Sequence, residues 1–478
     1  MTSDALLQLD DSYARAVPRL SMPWDAAAPP SPEPVVVNDA LATELGIDPD
    51  ALRAPAGVAM LTGTVHQGVP TVAQAYAGHQ FGSYSPRLGD GRALLLGELV
   101  DPQRRRKDLH LKGSGRTPFS RGGDGYAALG PMLREHLMGE ALHALGIPTT
   151  RALAVVATGA LVRRERPLPG AVLCRVAASH LRVGTVQYAA AHQDLELLRD
   201  LADYVIARHH PEAADAEQPY LELLRRVVHV QADLVAQWMQ VGFVHGVMNT
   251  DNTTLSGETI DYGPCAMLDA YDPRTVFSSI DVGGRYAYGN QPGIVQWNLA
   301  RLAEALLPLL APTPEEGVEA ATAVLQELPE RYNERAAAGM SAKLGLHEGD
   351  AEVVADCLAM LQRERVDLTT FFRALAAGTA RELVEDQAAF DAWAARREAL
   401  LPADRDATAA AMNRINPVYV PRNHRVEEAL SAAEQGEMGP YERLLDAVTH
   451  PFDEREDYAD LAEAAPADGA PHITYCGT

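Results

Sequence analysis

The stretch HGVMNTDN, His245 to Asn252, with its continuation TTLSGETIDYG to Gly263, decides how this chain is read. Asp251 and Asn252 are adjacent, and Asp261-Tyr262-Gly263 follows after eight intervening residues. Their carboxylate and amide oxygens are hard ligands suited to magnesium carried on phosphates. A loop built for phosphoryl transfer would also place an Asp two residues after the His to receive a proton, and here that position is Val247. An isopropyl group accepts no proton. Either the domain only binds, or the chemistry has moved to a neighbour such as Asp251.

A His and an Asn at this spacing, then a hairpin and D-x-G, is the order in which a protein kinase supplies its catalytic loop and its metal-binding Asp. TTLSGETI is the expected hairpin. The flanking segments agree in kind. From Tyr76 to about Arg166, runs such as RALLLGELV, DLHLKGSG and TTRALAVVATGALVRRE alternate with glycine turns, which predicts a sheet. PMLREHLMGEALHALGI predicts one helix, starting at Pro131 and ending at Gly146, with Leu133, Leu137, Met138 and Leu142 on a face buried against that sheet and Glu135 and Glu140 as its carboxylates. Beyond Val172 the pattern is helical, with LELLRDLADYVIARHH and YLELLRRVVHVQADLVAQWMQVG before the HGVMNTDN loop and QWNLARLAEALLPLLA after it. The expected fold is α+β, protein-kinase-like and two-lobed. Residues 1–70 form an N-terminal extension, with AAAPPSPEPVVV as an extended lead-in over the surface. Residues 71–170 form a mixed β-sheet N-lobe with one key helix, 171–400 a mostly helical C-lobe, and 401–478 a C-terminal extension.

LKGSG puts Lys112 on a short strand whose Asp108, His110 and Lys112 share one face opposite Leu109 and Leu111. Glu135 is its expected partner. In RLGDGRALLLGE, Gly89 and Gly91 around Asp90 read as a tight turn whose backbone N–H groups could approach phosphates, with Arg92 beside them. SGRTPFSRGGDGYAALG, which contains Asp124 and Gly125, precedes a helix N-terminus and is a candidate nucleotide contact. Arg175 and Arg182 in CRVAASHLRVGT would clamp a polyphosphate if they converge and would be surface residues if they do not.

Forty-one basic residues against 65 acidic ones give a formal charge of −24, which opposes non-specific attraction to nucleic acid or anionic lipid. The one dense basic run, Arg104–Lys107, reads as a solvated turn before a strand. The first residues lack a basic and apolar leader, and no apolar run approaches the ~18 residues of a membrane span. A cytoplasmic monomer without membrane or nucleic-acid partners is expected. Cys174, Cys265 and Cys357 are read as small buried residues and Cys476 as exposed, with no CxxC pair to suggest zinc.

YAGHQFGSYSPRLGDGRALLLGE, LHLKGSGRTPFSRGGDGYAALGPMLREHLMGEAL, HGVMNTDN, TIDYGPCAMLDAYDP, GRYAYGNQP and NPVYVPRNHRVEEAL, spread from about residue 70 to 430, together resemble the selenoprotein O family, the YdiU-type proteins. The resemblance implies a pseudokinase-like fold that binds ATP in a flipped orientation with Mg2+ or Mn2+. It implies transfer of AMP, with release of pyrophosphate, to Ser, Thr or Tyr hydroxyls of protein substrates. UMP transfer with manganese and a non-catalytic nucleotide-binding scaffold are the alternatives, while Val247 opposes an ordinary phosphotransferase. Carried over by position, Gly89, Gly91, Arg92, Lys112, Asp124 and Gly125 would contact the nucleotide, with Glu135 orienting Lys112. Arg175 and Arg182 would hold the inverted phosphates, Asp251 would accept the proton, and Asn252 and Asp261 would bind the metal, Asp261 also facing the nucleotide. Family members often carry a cysteine or selenocysteine near the C-terminus, matched here by Cys476, and some pair it with a cysteine in the loop after the metal-binding Asp. TVFSSID has Phe277 in that loop, which leaves Cys265 as the nearest substitute for such a regulatory disulfide.

Overall fold

Runs of Leu, Val and Ala between glycine turns fold as antiparallel strands, and the computed structural model describes them within residues 6–347, 350–466 and 472–475. In chain order they are β1 (Ser21–Pro23), β2 (Glu33–Val37), β3 (Val72–Gln74), β4 (Gly78–Gln80), β5 (Ser83–Ser85), β6 (Ala93–Val100), β7 (Arg106–Lys112), β8 (Ala127–Ala128), β9 (Arg151–Arg163), β10 (Pro167–Ala177), β11 (Phe243–Val244) and β12 (Ala266–Met267). The main sheet runs β1-β3-β6-β7-β10-β9-β2, with β8 added to β10, while β4 pairs with β5 and β11 with β12.

Side chains alternate along a strand, so β7 sends Leu109 and Leu111 to one face and Asp108, His110 and Lys112 to the other. The leucine face is covered by the N-terminal residues: Leu41, Leu45, Leu52 and Leu61 share a core with Leu96, Leu109, Leu111 and Val172. The supposed lead-in therefore belongs to the sheet. Glu33–Val37 is an edge strand on β9, and Ser21–Pro23 lies on β3 at the opposite edge. Prolines are tolerated at edges because no inner ladder bond is lost.

The other face of the sheet meets the Leu129–Ala144 helix. It begins two residues ahead of Pro131, which is harmless because first-turn N–H groups have no helical partner to lose. Its burial extends beyond the sheet side: Leu133, Leu137 and Ala141 pack both on Val155 and Leu173 and on Val426, Leu430, Tyr441 and Leu444 of the Asn423–Glu434 and Gly439–Thr449 helices. Tyr441 Oη donates to Leu133 O at 3.0 Å and lies 2.7 Å from His136 Nδ1. Glu140 pairs with Arg151 at 2.5 Å and so braces this helix against β9, away from the cleft.

The Leu195–His209, Pro219–Val241 and Gln291–Leu310 helices share the largest core through Leu198, Leu201, Leu224, Val228, Leu299 and Leu302, as their period predicts. TTLSGETI departs from the expected hairpin. Its arms bridge other segments, Thr254 to Arg182 and Thr259 to Thr149, around a turn at Gly257, φ 79°. The Arg104–Lys107 run does form the β6–β7 connection, but Arg105 meets Asp101 and Glu44, and Arg106 meets Asp10 and Glu98. Among the described residues no helix is long and apolar enough to cross a membrane.

Candidate functional site

β7 and β10 are neighbours, and Arg175 stands opposite His110, so it projects from the face that carries Lys112. Lys112 Nζ donates to Glu135 Oε2 at 2.6 Å and to Asp261 Oδ1 at 2.7 Å. Arg175 Nε donates to Glu135 Oε1 at 2.8 Å, and its Nη2 donates to Asp261 Oδ1 at 2.7 Å. Arg182 Nη1 donates to Asp251 O at 2.9 Å and to Asp261 Oδ2 at 3.2 Å, with its guanidinium 4.6 Å above the Tyr76 ring. The two arginines converge and are buried, which removes the surface reading. Although burial opposes it, the charges of Lys112, Arg175 and Arg182 hold the Asp261 carboxyl well below the usual range. Asp261 sits at φ 64°, a left-handed conformation uncommon outside glycine, and its three cationic partners fix it there.

These groups open onto a cavity of about 500 Å³. Six cationic side chains line it (Arg92, Lys112, Arg121, Arg164, Arg175, Arg182) against four carboxylates (Asp90, Asp124, Asp251, Asp261), a surplus of two positive charges in a chain whose net charge is −24. The cavity therefore has the sign of an anion site. Burial lowers the pKa of Arg92, the form a desolvated cation takes before a phosphate arrives.

Val247 and Asp251 share this wall. Burial pushes the Asp251 carboxyl up to about 6, against the Arg182 charge. Its Oδ2 accepts from Gln80 Nε2 at 3.2 Å, whereas its Oδ1 is buried without a partner. A carboxylate so placed is a stronger base than an exposed Asp and has an oxygen to spare. Gly78 makes room for it: a Cβ there would lie 2.5 Å from Asp251 Oδ1. Asn252 Nδ2 donates to Val247 O at 2.9 Å, which leaves the amide oxygen for a cation.

At the opposite wall, Gly89 (φ 66°) has the Phe119 ring where a Cβ would stand, and Gly125 (φ 77°) lies equally close to the Gly115 backbone. Gly91 is held by Ser120, whose hydroxyl donates to Gly91 O. The glycine turn and the SGRTPFSRGGDG loop, separate in sequence, thus form one braced rim. Asp90 anchors it, accepting from Gln74 N at 2.9 Å with His110 Nε2 at 3.0 Å. Asp124 reaches the cavity already paired with Arg164 at 2.8 Å.

Asn252 and Asp261 fit a magnesium ion. They supply hard oxygens, the partnerless Asp251 Oδ1 lies beside them, and such an ion keeps waters and binds through one or two carboxylates plus phosphates. Asp261 Oδ1 accepts from both Lys112 and Arg175, whereas its Oδ2 takes the single, longer bond from Arg182 at 3.2 Å and is the oxygen with more room for an ion. No cluster of three or more His, Cys, Asp or Glu side chains poised around an ion occurs among the described residues.

Cys174, Cys265 and Cys357 are free and buried, and burial pushes the Cys265 thiol up to about 11. Cys476, and with it the pairing to Cys265, lies outside the described residues. Just before it, Thr474 bridges Ser278 and donates through Oγ1 to Pro264 O at 2.8 Å. Sequence reasoning gave no role to Tyr76, Gln80, Phe119 or Asn249, all of which line the cavity. Their only signal was membership of the long motif stretches.

The profile of the family described as protein adenylyltransferase SelO matches residues 7–449. A protein nucleotidyltransferase YdiU of Mycolicibacterium smegmatis is 56% identical over 488 aligned positions, covering 100% of both chains. Those of Mycolicibacterium paratuberculosis (57%, 99% of each chain) and Pseudarthrobacter chlorophenolicus (55%, 100% of this chain and 99% of the other) are as similar.

Proposed function

The chain belongs to the SelO/YdiU family of protein nucleotidyltransferases and is an enzyme of that class, and on that premise we propose that it is an ATP-dependent protein adenylyltransferase on a two-lobed, kinase-like scaffold. ATP enters flipped, its triphosphate toward Arg92, Lys112, Arg175 and Arg182, with Gly89, Gly91, Asp124 and Gly125 along its length. The hydroxyl oxygen of a Ser, Thr or Tyr side chain attacks the α-phosphorus. The bond from that phosphorus to the bridging oxygen breaks, pyrophosphate leaves, and the hydroxyl proton passes to Asp251 Oδ1. Charge developing on pyrophosphate meets cations already fixed by Glu135 and Asp261, so little reorganisation is needed. Magnesium or manganese held by Asn252 and Asp261 would add Lewis-acid neutralisation of phosphate charge.

The observation that carries this reading is the displaced carboxylate: Val247 stands where a kinase keeps its proton acceptor, and Asp251 Oδ1 lies buried and unpartnered on the same wall. The test uses reduced protein with magnesium and ATP labelled on the α or the γ phosphate, following label into protein. Label from the α position alone, lost in Asp261→Ala, supports AMP transfer. Label from γ alone makes the chain a phosphotransferase. No label with ATP still bound makes it a scaffold.

A further inference from the structure

We propose that the rim beside Asp251, built from the β4–β5 hairpin and the Ile280–Tyr286 segment, docks an extended acidic segment of the acceptor protein, with Arg285 as the side chain that selects it. The direction of approach rests on the AMP-transfer reading, because the accepting hydroxyl must come to Asp251.

Two motif stretches, GHQFGSYS (78–85) and GRYAYGNQP (284–292), reach the nucleotide cavity only through Gln80 and Phe81 at its edge. They meet each other here. Phe81 N donates to Asn249 Oδ1 and to Tyr286 Oη, both at 3.1 Å, and Tyr286 Oη donates to Asn249 Oδ1 at 2.5 Å. Gln291 accepts from His245 N at 2.9 Å and donates to Phe243 O at 2.9 Å. Tyr286 and Gln291 thus hold the loop that carries Asp251 and Asn252. Arg285 does none of this. Its guanidinium stacks on Trp297 at 4.7 Å, its Nε is buried without a partner, and it has no carboxylate partner among the described residues.

That stack is rigid. Trp297 is met edge-on by the His79 ring at 5.3 Å and by Arg301 at 4.9 Å, and Arg301 has its own counter-ion, Glu304, at 2.5 Å. Arg285 is thus stacked in place without a carboxylate partner among the described residues, in a chain with 65 acidic and 41 basic residues. Arg285 does not line the nucleotide cavity, so the triphosphate is not its counter-charge. The same two segments carry exposed apolar side chains: Tyr84 is 43% exposed, Ile280 53% and Val282 96%. Exposed apolar side chains on the segments that hold a cation suit a binding surface that combines apolar contact with one charged anchor.

The spacing follows from the hairpin. Gln80 touches Asp251, and Gly82, two residues on, approaches the Arg285 guanidinium at 3.7 Å from where its Cβ would stand. Phe81 and Gly82 form the turn of the hairpin, so two residues of chain set an upper bound of ~7 Å between Gln80 and Gly82. An acceptor segment running alongside would place its carboxylate two or three residues from the accepting hydroxyl.

The test uses two peptides identical around one Ser except for Asp or Lys three residues away. Binding is read by fluorescence anisotropy without ATP, and transfer with α-labelled ATP. Wild type should bind the Asp peptide at least tenfold more tightly and label it with the lower KM. Arg285→Glu should reverse that preference, with ATP affinity by calorimetry within twofold of wild type. Selective binding without any transfer would keep the docking rim and overturn the AMP-transfer reading. Equal binding of both peptides, no binding of either, or an Arg285→Glu defect that is the same for both would overturn the docking rim.

Discussion

Asp251 and Asp261 lie in one cleft with opposite electrostatics: burial raises the first, and three cations lower the second. Their losses should therefore differ in kind. On the proposed assignment, Asp251→Ala removes the general base, worth ~10²–10⁴-fold. On the same assignment Asp261→Ala would remove a metal ligand, and it leaves Lys112, Arg175 and Arg182 to repel one another, so the nucleotide should no longer be positioned. In a labelled-AMP transfer assay Asp251→Ala should keep a measurable rate and Asp261→Ala should fall below it; equal residual rates would overturn the ranking. A second titration is separate from the cleft. Lys343 is buried over the Phe372 ring at 4.4 Å, and burial pushes its pKa down to about 7. Below pH 7 both folded and unfolded chains carry the proton, and the fold bears a buried charge. Between pH 7 and the unfolded value near 10.4, the unfolded chain binds more protons, so stability rises with pH. Lys343→Met should raise the melting temperature at pH 6, by about 1–3 kcal/mol of stability after allowing for the lost ring contact, and the advantage should shrink toward pH 9. A constant advantage across that range would mean that the charge is not buried.

Elements differ in how far local sequence specifies them. The long helices and both faces of β7 are legible because a period of 3.6 or 2 is written in their own residues. β1 and β2 were not: each is short, and its strand character comes from pairing with β3 or β9. TTLSGETI looks like a hairpin because glycine marks the turn, but its arms find better partners in Arg182 and Thr149. In the site, Lys112 with Glu135 could be inferred from strand and helix placement, whereas Arg175 is placed by its register opposite His110 and Arg182 by a bridge to Thr254, long-range pairings that spacing cannot reveal. Gln80 was hidden because the β4–β5 hairpin acts through long-range bonds, including His79 N to Thr250 Oγ1 at 2.7 Å. That tie gives a prediction at this scale. Gly78→Ala puts a Cβ 2.5 Å from Asp251 Oδ1 and 2.9 Å from Leu88 Cδ1, so hairpin and loop must separate. Misplacement of about 1 Å costs ~10²-fold in rate. Transfer should fall by that order while ATP affinity, measured by calorimetry, stays within about threefold; a variant with wild-type kcat would show that the hairpin does not set the position of Asp251.

Over the whole molecule, the cleft depends on residues far from it in sequence. The helix that presents Glu135 is apolar on two sides, and its outer side is covered by Val426, Leu430, Tyr441 and Leu444. Arg134, one residue before Glu135, reaches Glu427 at 3.0 Å and Cys265 O at 2.6 Å, and Asn423 Oδ1 accepts from Met267 N at 3.0 Å, so the C-terminal helices also touch the segment after Asp261. Arg422 is fully buried and pairs with Asp367 at 2.7 Å and Asp269 at 2.8 Å, which ties them to the helical half as well. We therefore treat Arg422 and the Asn423–Glu434 and Gly439–Thr449 helices as a brace on the Lys112–Glu135 pair. A chain ending at Leu401 would expose the outer face of the Glu135 helix and strand Asp367 and Asp269 without their cation. It should lose soluble yield, and any soluble fraction should lose ATP binding. Because such a truncation can fail for general reasons, Tyr441→Phe is the sharper variant. It leaves Leu133 O and His136 Nδ1 without their hydroxyl partner, at a cost of about 1–3 kcal/mol. Through the helix it should weaken ATP binding more than Arg381→Ala, which removes an exposed ion pair with Asp391 worth under ~1 kcal/mol. Thermal unfolding and calorimetric ATP titration of the two variants decide the matter: a Tyr441→Phe protein with lowered melting temperature and unchanged ATP affinity would make the C-terminal helices a stabilising cover and nothing more.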